Sequence, residues 1–263
     1  MIELIPSPFI QIIIFIFGAL IGSFFNVCIY RLPIDESIVI PFSHCPNCKT
    51  KIKIWENIPI ISYLILKGKC RYCGVQISPR YLIVEILTPV LFLLLWQFFG
   101  KSPDFFIYLL FISVLIIITF IDFEHQLILN VLTYPMIIIG LLISYFKGIF
   151  ISSLIAGLVG GGIIFLIVII SPFIFKKEGM GAGDFKLAAV IGVFLASWQY
   201  TLISLFFASF LGSLVGLILI LSGKKRFGEY IPFGPYLVFG ALIILFYGKN
   251  IIDWYKGITA GIN

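Results

Sequence analysis

Long apolar runs follow one another along this chain, separated mostly by short polar breaks. Crossing a hydrocarbon core takes roughly 20 apolar residues. By that measure the pattern predicts spans near 8–30, 80–99, 104–121, 128–146, 149–175, 185–196, 199–222 and 231–248. The sixth is short, and its border with the seventh falls around Ala196–Gln199. Helices are expected throughout, because lipid offers no partner for the open backbone groups of an unclosed sheet. The fold class expected is an all-α polytopic membrane protein of about eight transmembrane helices. The first run has no basic stretch ahead of it and no small-residue cleavage site behind it, so it reads as a retained span.

One polar insertion is large, residues 31–79 between the first two spans. It divides the chain into a first transmembrane helix (1–30), a loop (31–79) and a membrane core (80–263). No strong internal repeat is visible.

Composition agrees with the pattern. Hydrophobic residues make up 61% of the 263 positions and charged residues 11%, against about a quarter charged in soluble domains. A soluble enzyme or a soluble binding module is excluded. The formal net charge of +6 bears on orientation rather than on nucleic acid, and no nucleic-acid partner is expected. With eight spans, fourteen of the 18 Lys and Arg residues fall on one face, including Arg31, Lys176, Lys177, Lys186 and Lys224–Arg226. Lys101, Lys147, Lys249 and Lys256 fall on the other. The positive-inside rule then puts the 31–79 insertion, the 122–128 turn and the 176–184 loop in the cytoplasm, with the N-terminus outside.

Four of the five cysteines lie in that insertion as CPNC and CRYC: Cys45, Cys48, Cys70 and Cys73. Two C-x2-C knuckles supply four thiolates, the donor set of a tetrahedral structural Zn2+. A polar loop of this size buries little core, so a metal staple is physically reasonable. Four reduced, unligated thiols are the alternative. His44 offers a substitute ligand, but the cysteine set is complete without it. Cys28 lies within a span and reads as a small packing residue.

Two acids stand apart from the solvated ones. Asp122 ends the run LLFISVLIIITFID, and Asp184 opens DFKLAAVIGVFLA after the glycine-rich GMGAG. Both fall at the cytoplasmic membrane boundary on different helices, where an ionisable group is costly and points to function. A facing pair of carboxylates shares one proton, so one member takes a proton from water while the other polarises a carbonyl. Gly181 and Gly183 would let a substrate backbone approach and would accept positive φ at little cost. Gly183 would also let a second helix pack beside the carboxylate. Pro232 and Gly234, with Phe233 and Pro235, would break the start of the last span and let it line the site. A proton- or cation-coupled secondary transporter using the same two aspartates is the alternative reading.

At these residues the chain resembles the type IV prepilin peptidases, bifunctional leader peptidases and N-methyltransferases of bacterial membranes. The resemblance is carried by GSFFNVCIYRLP (22–33), the paired cysteines with WENIPIISYL (55–64), SPRYLIVE (78–85), GMGAGDFKL (179–187) and YIPFGPYL (230–237). It implies catalytic aspartates at Asp122 and Asp184. It also implies cleavage of a basic leader from prepilins or pseudopilins after a glycine, at the cytoplasmic face of the inner membrane. Methylation of the new N-terminus from S-adenosylmethionine would follow. The cysteine loop goes with the methyltransferase activity in that family, and Glu56, Gly68, Arg80 and Glu85 become candidates for the cofactor. After the first aspartate the family often carries a Pro-Asp pair; here Leu129 and Asn130 stand at those places.

Overall fold

The computed structural model describes residues 8–40, 43–175, 181–226, 229 and 231–260. Among them no strand forms beyond two isolated bridges, and a helix stands at each of the eight apolar runs. Six are long and apolar enough to cross a membrane. Lys176 and Lys177, used in the charge count, and the GM that opens the glycine motif lie outside the described residues.

The chain divides into two compact units, Met1–Ile117 and Ile118–Asn263. In the first, α1 (Pro8–Arg31) packs along α3 (Arg80–Phe99). Small residues set that contact. A Cβ on Gly18 would lie 2.6 Å from the Pro89 Cα, and one on Gly22 would lie 3.0 Å from the Val84 carbonyl oxygen. Lipid gives helices no hydrophobic reason to associate, so close backbone approach at small residues does that work. Between these helices the insertion holds a short helix, α2 (Ile61–Ile65), and two cysteine knuckles. Helix α4 (Pro103–His125) begins in the first unit and ends in the second.

The second unit holds the end of α4 with α5 (Asn130–Phe146), α6 (Phe150–Phe175), α7 (Asp184–Leu195), α8 (Trp198–Leu221) and α9 (Gly234–Ala260). Helix α7 has only 12 residues, yet Leu187, Ala188 and Val190–Phe194 are all buried. It packs on α5, α6, α8 and α9. A helix enclosed by protein needs no length to span lipid, which is why the sixth apolar run is short. A Cβ on Gly157 or Gly140 would lie 2.6 Å from Val193 methyls, so α5 and α6 close on α7 through glycines. The α7–α8 border falls at Ala196, whose φ of 50° ends α7, and at Ser197, which accepts from the Tyr200 N–H to start α8.

Helix α9 differs from its expected range of 231–248 at both ends. It starts at Gly234, after the non-helical stretch that contains Pro232, and runs to Ala260. Proline lacks the N–H and fixes φ, so it suits the first helical turn and not the interior. Pro235 takes that place.

Candidate functional site

Asp122 and Asp184 are both 1% exposed. Asp122 is near the end of α4, one turn before the Gln126 N–H closes on its carbonyl. Its Oδ2 accepts the Gly234 N–H at 2.9 Å, so the first residue of α9 is tied to α4. A Cβ on Gly234 would sit 2.7 Å from that same oxygen. Only glycine lets the backbone donor come so near.

Asp184 opens α7 and closes a small ring with Gly181. The Gly181 N–H donates to Asp184 Oδ2 at 3.0 Å, and the Asp184 N–H donates to the Gly181 carbonyl at 3.1 Å. Its other oxygen, Oδ1, is buried and has no hydrogen-bond partner among the described residues. A buried carboxylate oxygen without a partner is rare, because desolvating it without a donor is costly.

Gly183 corrects one sequence expectation. Its φ is −76°, ordinary right-handed backbone, so conformational freedom is not what it supplies. A Cβ there would lie 2.6 Å from the Ile128 Cβ. The close neighbour is thus the connection between α4 and α5 rather than a second helix. Lys186 donates to the Asn130 Oδ1 at 2.6 Å and lies over the Tyr134 ring. Asn130, at the position where the family resemblance leads one to expect an aspartate, thereby anchors α5 to α7. Neither Ile128 nor the pairing of Lys186 with Asn130 is signalled by sequence spacing.

In the first unit the four sulfurs of Cys45, Cys48, Cys70 and Cys73 lie within 4.8 Å of one another. Cys45 Sγ and Cys73 Sγ are 3.8 Å apart. A tetrahedral metal with about 2.3 Å bonds to sulfur has edges of about 3.8 Å, so the cage is of a size to hold such an ion. Each pair closes the same way. The Cys45 N–H donates to the Thr50 carbonyl and the Lys49 N–H returns to the Cys45 carbonyl; Cys70, Val75 and Gly74 repeat the scheme. The turn needs positive φ, 58° at Lys49 and 71° at Gly74. Hydrogen bonds from the Thr50 side chain and backbone pull the Cys48 thiol down to about 6, which keeps a thiolate available at neutral pH.

The four cofactor candidates have other visible partners. Glu56 pairs with Arg71 at 3.3 Å and accepts from the Tyr72 hydroxyl. Gly68 turns at φ 67° beneath the Tyr63 ring. Arg80 lies over the Tyr81 ring at 4.8 Å. Glu85 Oε2 accepts the Ile60 N–H at 2.7 Å. A cavity of about 270 Å³ lies in the same unit, lined among others by Leu20, Ser23, Arg31, Asn57 and Pro59. None of the four candidates lines it.

A polytopic helical membrane protein with two buried aspartates in its second unit and a four-cysteine cage in its first is a narrow class. Two family descriptions match it in order: Bacterial Peptidase A24 N-terminal domain over residues 16–99 and Type IV leader peptidase family over 109–217. Among curated proteins the chain is 38% identical to the prepilin leader peptidase/N-methyltransferase of Legionella pneumophila, over 95% of both chains. It is 36% identical to that of Aeromonas hydrophila over 92% of both. With that of Pseudomonas aeruginosa the identity is 35%, over 90% of both. No solved structure matches. The chain belongs to the type IV leader peptidase family.

Proposed function

We propose that this protein removes the leader peptide from type IV prepilins or pseudopilins and methylates the new N-terminus. The names of its relatives support both activities, and nothing in the comparisons supports the transporter reading. The observation that carries the peptidase half is the pair of aspartates buried in the second unit, Asp122 near the end of α4 and Asp184 at the start of α7.

Asp122 and Asp184 are assigned as the catalytic pair. One carboxylate takes a proton from water as the water oxygen attacks the scissile carbonyl carbon. The other, protonated, donates to the carbonyl oxygen. Collapse of the tetrahedral centre breaks the C–N bond, the proton first taken from water passes to the leaving amine, and the proton on the former carbonyl oxygen returns to the other aspartate as the C=O re-forms. The unpartnered Asp184 Oδ1 is where a water would find an acceptor. The Gly181 N–H holds Asp184 Oδ2 in place, and the Gly234 N–H holds Asp122 Oδ2. Gly183 and Pro232 shape the backbone around them. The cut falls after a glycine on the cytoplasmic face, where the lysine-rich side of the protein lies.

Residues 45–73 are assigned a structural Zn2+ held by the four cysteines, which fixes the loop and takes no part in bond making. S-adenosylmethionine supplies an electrophilic methyl group when bound, and the 31–79 insertion carries that half of the activity. The peptidase half belongs to residues 80–263.

Purified protein given a prepilin and labelled S-adenosylmethionine tests the whole reading. Leader release and label at the mature N-terminus are the expected result. Release without label refutes the methyltransferase assignment, and neither product refutes the function.

A further inference from the structure

Residues 55–65 belong to the insertion, yet the fold returns them to the depth of the spans. Glu85 lies five residues inside α3, about 7 Å along the axis from its start. Its carboxylate holds the Ile60 N–H at 2.7 Å. Asn57 and Pro59 line the same cavity as Leu20 and Phe24, which lie in the body of α1 and are themselves exposed. Ile60 pays for this position with φ 64° and ψ −55°, a conformation that β-branched residues avoid. The insertion is therefore drawn back along its two flanking spans.

What it presents there is apolar. Trp55 is 62% exposed, Ile61 55%, Leu64 59% and Ile65 73%. Ile61, Leu64 and Ile65 share one face of α2 by their spacing of three and four. Lys53 lies 5.5 Å over the Trp55 ring. Lysines 51, 53, 67 and 69 flank the apolar stretch on both sides. Between Ser37 and Val84 the sequence has seven Lys and Arg residues against one acid, Glu56. That acid is already paired with Arg71.

We infer that residues 55–65 are an interfacial anchor, with Trp55 and the apolar face of α2 inserted at the boundary of headgroups and acyl chains. The flanking lysines meet anionic headgroups. An amphipathic ring at headgroup level with cations around it is the arrangement lipid interfaces favour. Clustered basic residues beside a span add attraction to anionic lipid. The positive charge disfavours a basic peptide as the occupant and favours anionic lipid.

The test compares full-length wild type with Trp55→Phe, both reconstituted in vesicles of phosphatidylcholine with one quarter phosphatidylglycerol. The difference in tryptophan emission isolates Trp55 and leaves Trp96, Trp198 and Trp254 to cancel. The expected difference signal is blue-shifted and loses more than half its intensity when the acyl chains are brominated near the headgroup. A second pair carries Lys51→Gln, Lys53→Gln, Lys67→Gln and Lys69→Gln, and its quenching should fall toward that seen in pure phosphatidylcholine. A red-edge, acrylamide-accessible Trp55 untouched by brominated lipid overturns the inference. So does a Trp55 that is shielded only after a prepilin is added, which would assign the face to protein substrate.

Discussion

At the scale of single residues the site depends on what is missing from side chains as much as on what they carry. Gly234 brings its N–H to Asp122 because no Cβ stands in the way. Gly234→Ala should therefore push Asp122 aside. Leader cleavage is expected to fall roughly 10- to 100-fold, since displacements of about 1 Å cost that much in catalysis. Methyl transfer to an already cleaved pilin should be unchanged, and parallel assays of the two activities check it. Lys49 offers the opposite case. It occupies at φ 58° the turn position that Gly74 fills in the second knuckle. Lys49→Gly should relieve about 1 kcal/mol of backbone strain and raise the thermal unfolding midpoint of the detergent-solubilised protein. A lower midpoint would count against the paired-knuckle reading.

At the scale of elements, the spans were legible because each run of about twenty apolar residues has one stable solution in lipid. The cysteine cage was legible for a similar reason: two C-x2-C pairs close only on themselves or on a metal. Other parts were not. The start of α9 at Gly234 depends on Pro232, Pro235 and a hydrogen bond to a residue 112 positions earlier, and apolar counting does not register such a contact. The tie between Glu85 and Ile60 is equally silent, because a glutamate in a span and an isoleucine in a loop each have commoner explanations. Glycines at 140, 157 and 183 could be seen as small, but which neighbour each admits is a tertiary fact. The element-scale prediction concerns the cage. Cys45→Ser should lose bound zinc, measured by elemental analysis, and should reduce methyl transfer more than cleavage. The reverse order would sink the division of labour between the insertion and the membrane core.

At the scale of the whole molecule, charge asymmetry along the sequence predicts which side the chemistry faces. In intact cells a membrane-impermeant thiol reagent should leave Cys73, the exposed cysteine of the cage, unlabelled. In inverted vesicles treated with a chelator it should react. Labelling in intact cells would reverse the orientation and move the cysteine loop to the outer face. Both aspartates are closed off from solvent, so a prepilin must open a path to them while its own hydrophobic helix stays in the bilayer.

The central claim is that Asp122 and Asp184 act together on the peptide bond. Its most direct test is the rate of leader release by Asp184→Asn, purified beside wild type and Asp122→Asn, with methyl transfer to mature pilin followed as the measure of intact folding. Each substitution removes a proton-transfer group worth roughly 10²- to 10⁴-fold. The account predicts release reduced by at least the lower figure in both variants, with methyl transfer retained. Release by Asp184→Asn at the wild-type rate would contradict it.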